Sequence, residues 1–199
     1  MNYTDDFEQI LKAEGEKTEC MAILHLNASN YFNFFYVMIN LPIIALSSII
    51  GLLSAIELFK YQNIVYASIF ILLGILKAID SFFSFAKRSE THRLISLNYN
   101  KIHKIISIQL SISRDKRYNA NHLFKMITSE IQNINESEPN LPNSVLNKFK
   151  TKYEKYDTAK PNIVNGLTSI TIHKENGSAI MIPNIKIVES QDSEPYSDA

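Results

Sequence analysis

The sequence predicts a mainly α, integral membrane protein: an antiparallel two-helix transmembrane hairpin bearing a cytoplasmic helical extension and a small C-terminal β hairpin. Three observations predict it. From Leu26 to Ile56 no residue carries a formal charge. A second apolar run, Ile64 to Leu76, follows after the short polar link Glu57 to Asn63. Beyond Lys87, apolar residues recur at helical spacing. A mean hydropathy of −0.06 conceals this division, because it averages an apolar first half with a polar second half.

The first span begins near Tyr36 and stays apolar to Ile56, longer than the roughly 20 residues that cross about 30 Å of hydrocarbon. A buried helix of a soluble bundle is the rival, but such helices usually show a polar stripe and run about 10 to 14 residues. A cleaved signal does not fit, since the run starts some thirty residues in and follows an acidic leader. Pro42, near the entrance, is a place for a kink. Ser47 and Ser48 can bond back to their own helix or across to a neighbour, and the sequence leaves both open.

The uninterrupted part of the second run reaches only about 20 Å as a helix, so the span must continue through Lys77 and Asp80 into Phe82 and Phe83. Lys77 and Asp80 stand i, i+3 on one helical face. They read as a snorkelling pair near the interface, or as a polar lining between packed helices. Ala45, Ser48 and Ser54 in one span, with Ala67, Ser68 and Gly74 in the other, are expected to let the antiparallel helices approach closely. The link offers only Lys60, whereas the segment after the second span offers Lys87, Arg88, Arg93, Lys101 and Lys104, so both termini are expected in the cytoplasm.

Five regions follow. Residues 1–30 form an amphipathic N-terminal helix with a weak stripe of Phe7, Ile10, Leu11 and Met21, and residues 31–86 form the hairpin. Residues 87–160 form the cytoplasmic extension. Its first helix carries Ile95, Ile102, Ile106 and Leu110 as a packing or partner face, broadened by Leu94, Leu97, Ile105 and Ile112. After the turn Arg114 to Arg117, a second helix carries Leu123, Met126, Ile127, Ile131 and Ile134 up to Glu138-Pro139. A third starts at Pro142 and turns Val145, Leu146, Phe149, Tyr153 and Tyr156 inward. Residues 161–188 read as a β hairpin about Asn176-Gly177, and 189–199 as a disordered acidic tail.

Charge and motifs disfavour most chemistry. Lys+Arg 20 against Asp+Glu 20 leaves no basic excess for nucleic acid, and the single Cys20 makes no internal disulfide. His92 and His103 share a face but lie about 16 Å apart along a helix axis, too far for one metal. His25, His122 and His173 have no Cys or acidic partner at ligand spacing. No phosphate-binding, metalloprotease, serine-hydrolase or dinucleotide motif is present, so the reading is of a non-enzyme without cofactor, metal or small-molecule substrate. Lys87, Arg88 and Arg93 read as a membrane-surface anchor on anionic headgroups.

The order of parts is informative: two close spans, then Ser89-Glu90-Thr91-His92-Arg93, then Tyr99-Asn100-Lys101, Arg114 to Arg117, and Ser137-Glu138-Pro139-Asn140-Leu141-Pro142. Over roughly Ser29 to Gly166 this resembles the SLATT family (SMODS and SLOG-associating two-transmembrane effector domains), especially its branch in large DNA viruses of eukaryotes. The resemblance implies a cytoplasmic helical extension packed on the hairpin and a tendency to oligomerise. Bacterial members of that family act as membrane-perforating effectors. High Ile, Asn, Lys and Ser content also suits an AT-rich genome, as many giant viruses have. The expectation is a structural virion protein that ties an internal membrane to capsid proteins, its partners being the bilayer, further copies of itself or the capsid. The alternative is an oligomeric pore.

Overall fold

The computed structural model describes residues 3–56 and 59–166, and every regular element among them is helical. Helix α1 (Asp5–Leu53) has 49 residues and is about 74 Å long. The Thr4 hydroxyl caps it by accepting the Phe7 N–H at 3.2 Å, and Asp5, Asp6 and Glu8 place negative charge on its positive end. The leader and the first span are therefore one helix, and it continues through Pro42.

Helix α2 (Gln62–Phe83) returns antiparallel to the far half of α1, its entry fixed by the Gln62 amide donating to the Ile56 carbonyl at 3.1 Å. One residue, Ser84, separates it from α3 (Phe85–Ser111). Ser84 sits in the left-handed region at φ 51°, ψ 47°, and its N–H closes α2 on the Asp80 carbonyl at 2.9 Å. A non-glycine residue there costs roughly 1–2 kcal/mol, so surrounding contacts must hold this break.

Helix α3 lies antiparallel along the first half of α1, and this is the most extensive helix pairing in the described molecule. Gly15 makes it close: a Cβ there would meet Ile106 Cγ2 at 3.0 Å. After a short 3-10 turn, Arg114–Lys116, come α4 (Ala120–Ser137), α5 (Asn143–Tyr153) and α6 (Asn162–Asn165). The Asn119 side chain caps α4. Two apolar clusters result. Phe7, Leu11, Ile95, Ile102, Ile106, Leu123 and Ile127 join α1, α3 and α4. Cys20, Leu24, Ala28, Leu141, Val145, Phe149 and Val164 join α1 to α5 and α6. A cluster of Asp5 and Glu8 with Arg114, and of Glu8 with Arg117 at 2.6 Å, ties the start of α1 to the turn after α3.

Two helices are thus long and apolar enough to cross a bilayer, and only 11% of the apolar window of each is buried. Core helices of soluble proteins are mostly buried, so these two apolar windows are surface rather than core. The N-terminus and α3–α6 lie at the same end of the hairpin, because α3 packs on the first half of α1.

Several expectations change. Ile95, Ile102 and Ile106 are buried as expected, with Leu110 partly so, but α1 covers them together with α4. A leader that continues the first apolar helix without a break is rigid enough to supply that lid, which its weak stripe concealed. Leu94 and Leu97 are 48% and 51% exposed, Ile10 is 57% exposed and Tyr156 61%, so none belongs to the core. The small residues Ala45, Ser48, Ser54, Ala67, Ser68 and Gly74 are exposed rather than between the spans. Larger side chains, Ile50, Tyr66 and Leu73, fill that seam instead. The β hairpin expected at 161–188 lies outside the described residues, except that 162–165 form α6; the tail lies outside them altogether.

Candidate functional site

Two polar clusters are built where apolar packing would be the default. The first joins α1, α3 and the end of α4 just below the hairpin. On α1, His25 and Ser29 stand one turn apart, and both are buried. On α3, Ser89, His92, Ser96 and Tyr99 follow a face with spacings of three, four and three, which turns them all toward α1. Glu138 is the C-cap of α4, where the chain leaves the helix before Pro139.

His25 Nδ1 and His92 Nδ1 are 2.9 Å apart, and His25 Nε2 is 2.8 Å from Glu138 Oε1. The carboxylate only accepts, so His25 Nε2 carries a proton. Two facing Nδ1 atoms share one proton between them. The Tyr99 hydroxyl, with one proton to give, lies 2.8 Å from Glu138 Oε2 and 3.0 Å from Asn135 Oδ1. Stacking fixes the rings: His92 on Phe32 at 5.4 Å and His25 on Tyr99 at 5.9 Å. Further rungs join α3 to α1, with Ser89 donating to the Ser29 carbonyl (3.0 Å), Ser96 to Ala22 (2.8 Å) and His103 Nδ1 to Gly15 (3.0 Å).

Burial sets the charges. His92 is 1% exposed, and burial, then His25 and the nearby Arg88, push its pKa down to about 4. Burial by itself would raise the Glu138 carboxyl, but the hydrogen bonds from His25 and Tyr99 outweigh it and hold that group below the usual range. Burial, then the Glu138 carboxylate, pushes the Tyr99 phenol far up, so it remains a donor. At neutral pH the arrangement is a closed latch of one carboxylate, an uncharged His92 and a fixed phenol. Cys20 lies outside it, in the other cluster, 4.0 Å from the Ala159 carbonyl, with its thiol pushed up by burial. Among the described residues no group of three or more His, Cys, Asp or Glu is placed to hold a metal.

The second cluster lies in the hairpin. Lys77 Nζ meets Asp80 Oδ2 at 2.9 Å, as their spacing predicts, and Asn40 of α1 completes a triad. Asn40 Nδ2 donates to Asp80 Oδ2 at 3.0 Å, and its Oδ1 accepts from Lys77 at 2.8 Å. Asp80 and Asn40 are buried, while the Lys77 side chain is 57% exposed. Ser47 and Ser48 bond back to the Ile43 and Ile44 carbonyls at 2.6 and 2.8 Å, which settles the choice left open above.

Of the basic residues after the second apolar helix, Arg93 is held by Glu90 through two 2.7 Å bonds, whereas Lys87 and Arg88 are exposed and pair with no carboxylate among the described residues. Sequence reasoning missed His25, His92, Tyr99 and Glu138 as a group. Their separations, 67 residues for the histidines and 113 for His25 and Glu138, leave no local signal. Asn40 was missed as well: it stands inside the first apolar run, and its partners lie 37 and 40 residues away. No family model matches the chain, and no curated protein and no solved structure is significantly similar to it.

Proposed function

We propose that the chain is a non-enzymatic integral membrane protein, both termini cytoplasmic, that acts as a rigid connector between a bilayer and a protein layer. The observation that carries this reading is the continuity of α1, whose single helix serves the hairpin at one end and the core of the extension at the other. Movement of the extension is then transmitted to the spans without a hinge, as a tether requires. The virion setting, internal membrane joined to capsid, rests on the resemblance to the SLATT family branch of large DNA viruses and is the specific form of the proposal. The latch between α1, α3 and α4 contributes rigidity rather than chemistry.

A second reading, an oligomeric pore, rests on one feature: the exposed Lys77 side chain on the outer surface of the hairpin at membrane depth. Several hairpins could turn that group to a shared lumen. Ser47 and Ser48, which donate to their own helix, would offer that lumen only their acceptor oxygens.

Two measurements test the pair of readings. Alkaline carbonate should leave the full chain in the membrane fraction; release of intact protein would reject insertion. Purified protein in liposomes should leave ion permeability at the lipid background, and a concentration-dependent rise that Lys77→Gln abolishes would replace the connector by the pore.

A further inference from the structure

Where α2 gives way to α3, an open cleft of about 290 Å³ is lined by Phe82, Phe83, Ser84, Lys87, Arg88, Thr91 and Pro139. Its two ends differ in chemistry. Phe82 is 82% exposed and Phe83 43%, both on the last turn of the apolar helix. One turn further, Lys87 and Arg88 are exposed, and neither forms an ion pair among the described residues. Arg93, two turns on, is neutralised by Glu90. Arg114 and Arg117 are neutralised by Asp5 and Glu8, and Lys77 by Asp80. Arg88 is positioned all the same, because its guanidinium lies over the Phe32 ring at 5.8 Å and that ring is stacked on the buried His92. A cation held in place by an aromatic face, beside a second cation and with no acid between them, is arranged for an anion from outside the chain.

We propose that this cleft binds the headgroup of an anionic phospholipid, its phosphate between Lys87 and Arg88 and the start of its acyl chains along Phe82 and Phe83. The membrane reading above is its premise. The left-handed Ser84, which separates α2 from α3, lies in the lining of the cleft, where residues from both helices and Pro139 face one space. A zwitterionic lipid brings its own cation against Lys87 and Arg88, whereas an anionic headgroup does not. Two basic groups near a surface favour anionic lipid by roughly 1 kcal/mol each, which corresponds to a preference on the order of 10- to 30-fold. Arg93 is outside the site, which narrows the basic anchor expected from sequence to two residues.

The experiment uses the full chain in nanodiscs of equimolar phosphatidylcholine and phosphatidylglycerol, with native mass spectrometry of the lipids that stay bound on release. Phosphatidylglycerol should be retained over phosphatidylcholine by about tenfold or more. Lys87→Gln with Arg88→Gln should remove that preference. Lys101→Gln with Lys104→Gln, the same charge change about 21 Å further along α3, should keep it. Lys87→Gln alone touches no packed group and should lower the preference severalfold, so the test survives if the double variant misfolds. Equal retention of the two lipids by the parent overturns the site, as does an equal loss in the two double variants, which would show diffuse charge. Displacement of the lipid by millimolar inorganic phosphate would assign the cleft to a soluble anion instead. A chain that never enters nanodiscs overturns the membrane reading itself, a failure distinct from entry without preference.

Discussion

The two halves of α1 expose opposite chemistry. From Phe7 to Phe32 the helix turns Leu11, Ala22, Leu24 and Ala28 inward and leaves Lys12, Glu19 and Asn30 outside. From Asn40 to Ile50 it turns Asn40 and Ile50 inward and leaves Leu41, Ile44, Leu46 and Ile49 outside. Helix α2 repeats the second pattern, burying Gln62 and Asp80 beside Tyr66 and Leu73 while Ile64, Ile71 and Leu72 are exposed. In water, apolar burial drives packing and exposed polar groups are free of cost. In lipid, apolar exposure costs nothing and unpaired polar groups seek one another. One uninterrupted helix therefore carries two kinds of surface, one suited to water and one suited to lipid.

The largest test of this contrast replaces Ile102 and Ile106 with Asp. Both side chains are nearly inaccessible, at 3% and 1%, and burying two carboxylates there should cost on the order of 5 kcal/mol or more. Loss of protease resistance at the Arg114 to Arg117 turn is expected, with membrane insertion retained. Crosslinking and resistance like the parent's would show that this face is not a packing surface.

Next in size is Ile44→Asp in the other half, where the side chain is 67% exposed. On a water-facing surface such a change is worth about 0.5 kcal/mol, whereas near the middle of a lipid span it costs about 3 kcal/mol. Impaired insertion in a microsomal assay is expected; full insertion or an unchanged soluble melt would erase the contrast.

The latch predicts a pH dependence of intermediate size. The pKa of His92 is about 4 in the folded chain, below its usual 6.5, so the unfolded chain takes up the proton first. Its contribution is complete above about pH 6.5 and is lost as pH falls toward 4; near pH 5 the loss is about 2 kcal/mol. Glu138, also lowered, adds a loss in the same direction at more acid pH. Melting of detergent-solubilised protein should drop between pH 7 and 5, and His92→Asn should flatten that slope. A flat parent profile would mean that His92 is accessible to protons without unfolding.

The smallest effect belongs to the hairpin triad. Asp80→Ala leaves Lys77 and Asn40 without their shared acceptor, a cost of about 1 kcal/mol because Lys77 stays more than half exposed. Removing Lys77 as well should cost less than the sum of the single changes. Strict additivity in the melting temperatures would show no coupling between them.

The sequence by itself determined the two long apolar helices, the Lys77–Asp80 pair, the helices after Lys87 and the turns between them, because these depend on composition over one long stretch or on i, i+3 and i, i+4 neighbours. Tertiary structure decided the rest. That α1 is the lid over Ile95, Ile102 and Ile106 depends on which of several weakly amphipathic segments reaches them once the hairpin fixes its direction. That His25 meets His92 and Glu138 depends on the antiparallel register of α1 and α3, set by the close approach at Gly15 and by the ion cluster at Arg114 and Arg117. No pattern within either segment encodes that register. A buried polar network is specified by residues that are each ordinary in sequence and costly only in company, where each group left unpaired loses the water it had in the unfolded chain.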